Sequence, residues 1–289
     1  MKQLGITTIW LNPIYQSPQV DNGYDVSDYY QVDSSLGTMT DVETLIKTVH
    51  EHGMYLIFDF VLNHTSDQHP WFKQALADPQ SKYRDYYLWQ DPAADGGRPN
   101  NWGSFFGGSV WAKDPAGGPQ YYFHLFDKRM PDLNWKNPAV QQAMRDVAEF
   151  WVEKGIDGLR LDAFIHLAKA DFRQTYPNRT GDSTPIISDM FYAHLPKVHQ
   201  YLHDFVAVIK GIGTTIYGKI PQPMVGAQTT GAHFSVAVFG RRIRQAAHSI
   251  ISTCLINGCR TSIGRIRQCN RRCVMLLSFG LKRGLMVSG

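Results

Sequence analysis

Apolar positions in the first 62 residues form two short continuous runs with a helical stripe between them. Residues 5–13, GITTIWLNP, are β-branched and aromatic and close on a proline, the pattern of a buried strand. Residues 12–30 are polar and rich in turn formers. Over residues 40–52, Val42, Leu45, Ile46 and Val49 repeat at helical spacing, which predicts a helix with these four on its buried face. Thr40 and Glu43 predict its capping box, and Gly53 its stop. Residues 55–62, YLIFDFVL, are the second apolar run. Strand, helix, strand in that order predicts a parallel sheet.

Residues 63–135 break the pattern. They are dense in Gly, Pro, Asp and aromatics and too long for an ordinary connection, which predicts an inserted subdomain. Three of its tryptophans, Trp89, Trp102 and Trp111, read as core rather than as sugar platforms. The alternation then resumes. Asn137 caps a helix with Pro138 at its first position, and Val140, Met144, Val147 and Trp151 form its buried stripe up to Gly155. Residues 157–162, DGLRLD, predict another strand, and residues 196–210 another helix. The expected fold class is α/β, a (β/α) barrel rather than a sandwich.

Charge changes the picture in one place. The net charge of +4 over 289 residues hides a split, because no Asp or Glu follows Asp204. Cys254, Cys259, Cys269 and Cys273 also lie beyond it, in a stretch without clear period. Their spacing, C-x4-C-x9-C-x3-C, fits no ordinary zinc pattern. The basic residues there lack interleaved aromatics or a known motif, so no nucleic-acid partner is expected. No run of 18 apolar residues predicts a membrane span. The start shows no signal-peptide pattern and the body has no cysteine, so a cytoplasmic location is expected.

In a parallel barrel the working residues sit at the C-terminal ends of strands. Three polar clusters follow apolar runs: residues 21–25 (DNGYD), Asp59 with Asn63 and His64, and Arg160 with Asp162. Alternation puts Arg160 and Asp162 on one strand face. An Arg beside a carboxylate favours its ionised form, which a covalent glycosidase nucleophile requires. Purely structural readings stand beside these. Arg160 and Asp162 also fit a buried ion pair, His64 and Phe126 ordinary core, and Asp21 and Tyr24 a turn.

The motifs GITTIWLNPI, DNGYDVSDY, DFVLNHTSDQHPWF, RDYYLW, PNNW, MPDLNW and GIDGLRLDA, in this order, resemble the α-amylase family of glycoside hydrolases (family 13), nearest its α-glucosidase and oligo-1,6-glucosidase branch. The resemblance covers residues 2–210. It implies a partial (β/α)8 TIM barrel with an inserted subdomain after the third barrel strand. Residues 1–63 would hold strands two and three, 64–135 the insert, and 136–226 strand four and the start of strand five. Residues 227–289 would be a basic tail outside any native domain.

The resemblance also implies roles. Asp162 would be the nucleophile and Arg160 its support. Asp21, Tyr24 and His64 would line the innermost sugar subsite, with the ring of Tyr24 stacking on the sugar and Phe126 beside them. Asp59 and Asn63 would be structural at the site. The residue after the nucleophile is associated with linkage choice: Val resembles α-1,6 enzymes, Ala or Thr α-1,4 enzymes. Ala163 stands here, and a methyl-scale change is worth ~1–3 kcal/mol of discrimination. Met130, where oligo-1,6 enzymes usually carry Gln, points the same way. The expected function is a retaining α-glucosidase acting on terminal glucose of short oligosaccharides in carbohydrate catabolism, α-1,4 favoured. Oligo-1,6-glucosidase and trehalose-phosphate hydrolase are the alternatives within the class, and a non-catalytic sugar- or partner-binding relative is the alternative outside it. The expected partner is an oligosaccharide, and no cofactor is expected.

The chain departs from the family in one decisive respect. Retaining hydrolysis needs a second carboxyl group ~5–5.5 Å from the nucleophile. The family implies a Glu at the end of the next strand and a later Asp. No Glu follows Glu153, and in residues 221–228, PQPMVGAQ, Ala227 stands after Gly226 where that Glu is expected. A reading-frame shift near residues 224–227 would account for this, and the family's first strand would precede residue 1. The loop that carries calcium in many relatives belongs to that missing part, so no metal is assigned. The chain as given is expected not to hydrolyse glycosides.

Overall fold

The computed structural model describes residues 1–177 and 185–211, together with three short strands at 214–217, 236–240 and 275–277. Strand β1 is Thr8–Leu11. A two-stranded antiparallel ribbon follows, β2 (Tyr15–Gln16) with β3 (Asp28–Val32). Helix α1 is Met39–Glu51 and strand β4 Tyr55–Val61. Helix α2 is Pro70–Ala77. The strands β5 (Trp89–Gln90), β6 (Trp111–Lys113) and β7 (Tyr121–Phe123) form a separate antiparallel sheet, ordered β5-β7-β6. Helix α3 is Pro138–Glu153, strand β8 Gly158–Asp162 and helix α4 Pro196–Gly211.

β1, β4 and β8 lie side by side and parallel, with β4 and β8 each reached from the strand before through a crossover. The last three strands are β9 (Thr214–Tyr217), β10 (Val236–Gly240) and β11 (Met275–Leu277). The sheet order is β11-β1-β4-β8-β10-β9. β11 is parallel to β1, whereas β10 runs antiparallel to both β8 and β9. The expected start of the fifth barrel strand, at about residues 221–226, falls outside the described residues. Unpaired N–H and C=O groups at the edge of β8 can be met by a strand of either direction. Residues 221–228 and the four cysteines lie outside the described residues.

The barrel faces follow from strand alternation. Phe58, Phe60, Leu159 and Leu161 are buried on the side that faces the helices. Phe58 meets Trp151 of α3 edge-on at 5.3 Å, and Phe60 stacks on Phe205 of α4 at 6.0 Å. Each such side chain contributes about 1.5–3 kcal/mol on burial. The α3 stripe of Val140, Met144, Val147 and Trp151 is fully buried, and the Asn137 side chain accepts from Ala139 N as its cap.

Helix α1 departs from expectation in two details. Its N-cap is Thr38, reciprocated by Asp41, rather than Thr40 with Glu43. Gly37, at φ 140, turns the chain two residues earlier, and a Cβ there would lie 3.0 Å from the Asp41 carboxylate. Glu43 pairs with Lys154 instead. Val42, Ile46 and Val49 are buried, but Leu45, on the flank of that face, is 37% exposed.

Residues beyond β8 pack with the insert. Trp102, Trp111 and Phe123 share a core with Tyr176 and Tyr192. Trp102 and Trp111 are buried, and Trp89 lies under the Arg84 guanidinium at 3.3 Å. Among the described residues no helix is long and apolar enough to cross a membrane.

Candidate active site

The register of β4 and β8 builds the centre of the site. Asp59 lies opposite Arg160, and Val61 opposite Asp162. Arg160 Nη1 donates to both Asp59 oxygens at 2.8 and 2.7 Å, and contacts Asp162 Oδ1 at 2.7 Å. The Tyr24 hydroxyl donates to Asp59 Oδ2 at 3.0 Å. The guanidinium lies 4.8 Å from the ring centre of Trp10 on β1. Burial pushes the Asp59 carboxyl up to about 6, with Arg160 opposing the shift. Burial depresses the Arg160 pKa, but Asp59 and Asp162 outweigh that and raise it above its ordinary value. The Asp59 side chain is 0% exposed and that of Asp162 is 20% exposed. Asp59 is thus enclosed, while Asp162 sits at the mouth.

Asp21 and Tyr24 arrive from the turn after β2. Asp25, fully buried, accepts from the backbone N of Val20 and Asp21 and from the Ser17 hydroxyl. Gly23, at φ 94, has the left-handed backbone that this turn requires, and a Cβ there would press against Pro13 O at 3.1 Å. Burial raises the Asp21 pKa and lowers that of His64, and the charges of Asp21, Asp162 and His64 bear on one another. The His64 ring is 5.1 Å from that of Phe126, which is 5.9 Å from that of Phe105. Phe126 also walls a cavity of about 310 Å³ lined by Phe106, His124 and Lys128. Ala163 follows Asp162 in a left-handed conformation, φ 50, and opens a one-turn helix. A β-branched residue would be strained there.

The structure therefore gathers Asp21, Tyr24, Asp59, Asn63, His64, Phe126, Arg160, Asp162 and Ala163 at one end of β4 and β8. It adds residues that sequence reasoning did not single out. Lys169 Nζ donates to Asn63 Oδ1 at 2.9 Å and to the His166 carbonyl, and contacts Asp132 Oδ2 at 2.7 Å. Asn63 Nδ2 donates to Asp132 Oδ2 at 2.9 Å and lies 3.3 Å from His64 Nδ1. Asp132 belongs to the MPDLNW motif and Trp10 to GITTIWLNPI, so both were within reach. Lys169 stands in no motif. Met130 is fully buried. Among the described residues no group of three or more His, Cys, Asp or Glu could hold a metal ion.

Comparison with known proteins places these residues in a familiar context. A family model described as "Alpha amylase, catalytic domain" matches residues 1–230. A trehalose-6-phosphate hydrolase of Bacillus subtilis (strain 168) is 46% identical over 205 residues, which are 71% of this chain and 35% of that protein. An oligo-1,6-glucosidase of Bacillus cereus is 44% identical over 204 residues, 71% of this chain and 36% of that protein. A solved structure described as a "Family GH13_31 enzyme" superposes with a TM-score of 0.70 at 60% identity, covering 73% of this chain and 39% of the other. The trehalose-6-phosphate hydrolase of Bacillus licheniformis superposes with a TM-score of 0.67 at 43% identity, covering 73% of this chain and 36% of the other. The chain thus spans little more than a third of the length of these relatives.

Proposed function

This chain belongs to the α-amylase catalytic-domain family, and from that membership we propose that Asp162 is a glycosidase nucleophile for terminal α-linked glucose. The observation that carries the reading is the shared guanidinium. Arg160 clamps an enclosed Asp59 and a partly exposed Asp162, so one carboxylate is held and the other is presented. Asp162 would attack the anomeric carbon, forming an ester as the bond to the leaving group breaks. Asp21, Tyr24, His64 and Phe126 would surround the glucose ring.

Departure of a natural leaving group needs a proton donor. No Glu follows Glu153 in the chain, so turnover of ordinary glucosides is not expected. A fluoride leaving group needs no such proton. Incubation with 5-fluoro-α-D-glucopyranosyl fluoride should add one fluoroglucosyl unit to the intact mass, with loss of fluoride, and Asp162→Asn should show no adduct. A wild-type chain that binds glucose but never gains the adduct would sink the nucleophile and leave the sugar-binding alternative standing.

The relatives bear on linkage. Their names carry oligo-1,6-glucosidase and trehalose-6-phosphate hydrolase, not an α-1,4 activity. The α-1,4 leaning drawn from Ala163 and Met130 has no support among them, and the buried Met130 has no open face to offer a substrate. We therefore place α-1,6-linked or trehalose-type glucosides ahead of α-1,4-linked ones.

A further inference from the structure

His64 is enclosed, and its Nε2 bonds to no group among the described residues. Its other nitrogen, Nδ1, lies 3.3 Å from Asn63 Nδ2. An amide nitrogen can only donate, so Nδ1 must accept and the ring proton must sit on Nε2. This tautomer follows only if the Asn63 amide points as placed, and an amide orientation is decided by its partners. Two charged partners decide it here. The Lys169 ammonium faces Oδ1 at 2.9 Å, and the Asp132 carboxylate faces Nδ2 at 2.9 Å. Turning the amide over would set an NH2 against an ammonium and a carbonyl against a carboxylate.

We propose that the buried Lys169–Asp132 pair is a positioning device that orients the Asn63 amide, thereby fixes His64 as its Nε2–H tautomer, and makes His64 a hydrogen-bond donor to the sugar beside Asp162. Neither Lys169 nor Asp132 touches the substrate; both act through Asn63. The last step rests on the sugar-site reading above, whereas the tautomer does not. Burial lowers the His64 pKa, which agrees with a neutral ring, and a second ring proton would point at the Asn63 N–H. The partner His64 seeks is thus an oxygen lone pair of the sugar. A nitrogen that carries a proton cannot take one up, so His64 is no substitute for a missing general base.

The test is the tautomer itself, read from the ring nitrogens of protein labelled with 15N-histidine, with His64 assigned by its loss in His64→Gln. The wild-type chain should show Nε2 protonated and Nδ1 bare. Asn63→Asp replaces the donor by an acceptor and should move the proton to Nδ1. Asp132→Asn with Lys169→Met removes both charges together and leaves a neutral amide at position 132 to donate toward Asn63. That should turn the Asn63 amide and give the same inversion. Glucose, titrated as the probe, should bind about tenfold more weakly to both variants, the loss of one hydrogen bond. Nδ1–H in the wild-type chain overturns the proposal, as does Nε2–H retained in Asn63→Asp. If the double variant keeps the wild-type tautomer, Asn63 acts without its charged partners, and the role of the pair is overturned. If glucose leaves His64 unmoved while the tautomers behave as expected, the sugar-site reading fails and the positioning device survives it.

Discussion

Two buried charge clusters lie close together in this molecule and are built on opposite terms. In one, on β4 and β8, Arg160 is divided between Asp59 and Asp162, and the Asp162 side chain is 20% exposed. In the other, where the insert meets the barrel, Lys169 is wrapped by three oxygens, and its side chain is 2% exposed against 0% for Asp132. Asp132 uses both of its oxygens, accepting from Asn63 Nδ2 and Lys169 at Oδ2 and from Leu125 N at Oδ1. A fully enclosed charge with both oxygens engaged holds structure and faces no substrate. A carboxylate braced on one side and open on the other can hold structure and also react.

The largest effect that separates the two clusters is loss of one partner from the closed one. Lys169→Met alone leaves Asp132 charged and enclosed, at a cost of about 3–5 kcal/mol. Urea denaturation reads it directly. Removing both charges, as in the double variant with Asp132→Asn, should recover most of that loss. If Lys169→Met costs no more than a surface substitution, the closed cluster is not what holds the insert to the barrel.

The pH dependence of the open cluster comes next. Burial holds the folded-state pKa of Asp59 at about 6 against an ordinary 3.8. Between these values the folded chain binds more protons than the unfolded one, so the Asp59 contribution to stability falls as pH rises through that window. The full span corresponds to about 3 kcal/mol. Subtracting the stability curve of Asp59→Asn from that of the wild-type chain isolates it. A difference that rises with pH from 4 to 6 reverses the sign and shows that Arg160 outweighs burial.

These clusters also mark where the sequence was readable. Arg160 and Asp162 alternate on one apolar strand, so spacing put them on one face, whereas Asp59 joined them through the resemblance and meets Arg160 through the register of β4 and β8. Lys169 and Asn63 are 106 residues apart, and no period links them. A buried lysine also contradicts the hydrophobic pattern from which cores are read. The same limit applies within helix α1. Thr38 with Asp41 and Thr40 with Glu43 have identical spacing, and the choice between them is made by the backbone at Gly37. In the insert, strands of two or three residues are too short to show any period. The parallel order of β1, β4 and β8 was legible, but the antiparallel β10 beside β8 was not, because residues 236–240 follow a stretch without pattern.

Tyr24→Phe probes the edge of the open cluster at smaller scale. It removes the hydroxyl that donates to Asp59 at 3.0 Å while keeping the ring. The expected loss is about 1 kcal/mol by urea denaturation. Asp59 would also lose a bond that favours its charged form, which should move its titration higher still. A loss comparable to that of Lys169→Met would assign Tyr24 to the closed class instead.

Asp162→Asn should be the mildest of these changes for stability and the most complete for chemistry. The amide oxygen can still accept from Arg160, and Arg160 keeps both contacts to Asp59, so no buried charge loses its last partner. The ion pair that is lost has side chains 9% and 20% exposed, so the desolvation it costs to form offsets much of its attraction. The substitution also removes the repulsion between Asp162 and Asp59, one of the causes that raise Asp59. The two terms oppose, so the net change should lie within about 1 kcal/mol of zero, and the Asp59 titration should move down. A loss of several kcal/mol would mean that Asp162 is tied into the fold as firmly as Asp132. Near-neutral stability together with loss of the glucosyl adduct is the signature of a group held in place for reaction, because reactive groups are commonly kept at some cost to stability.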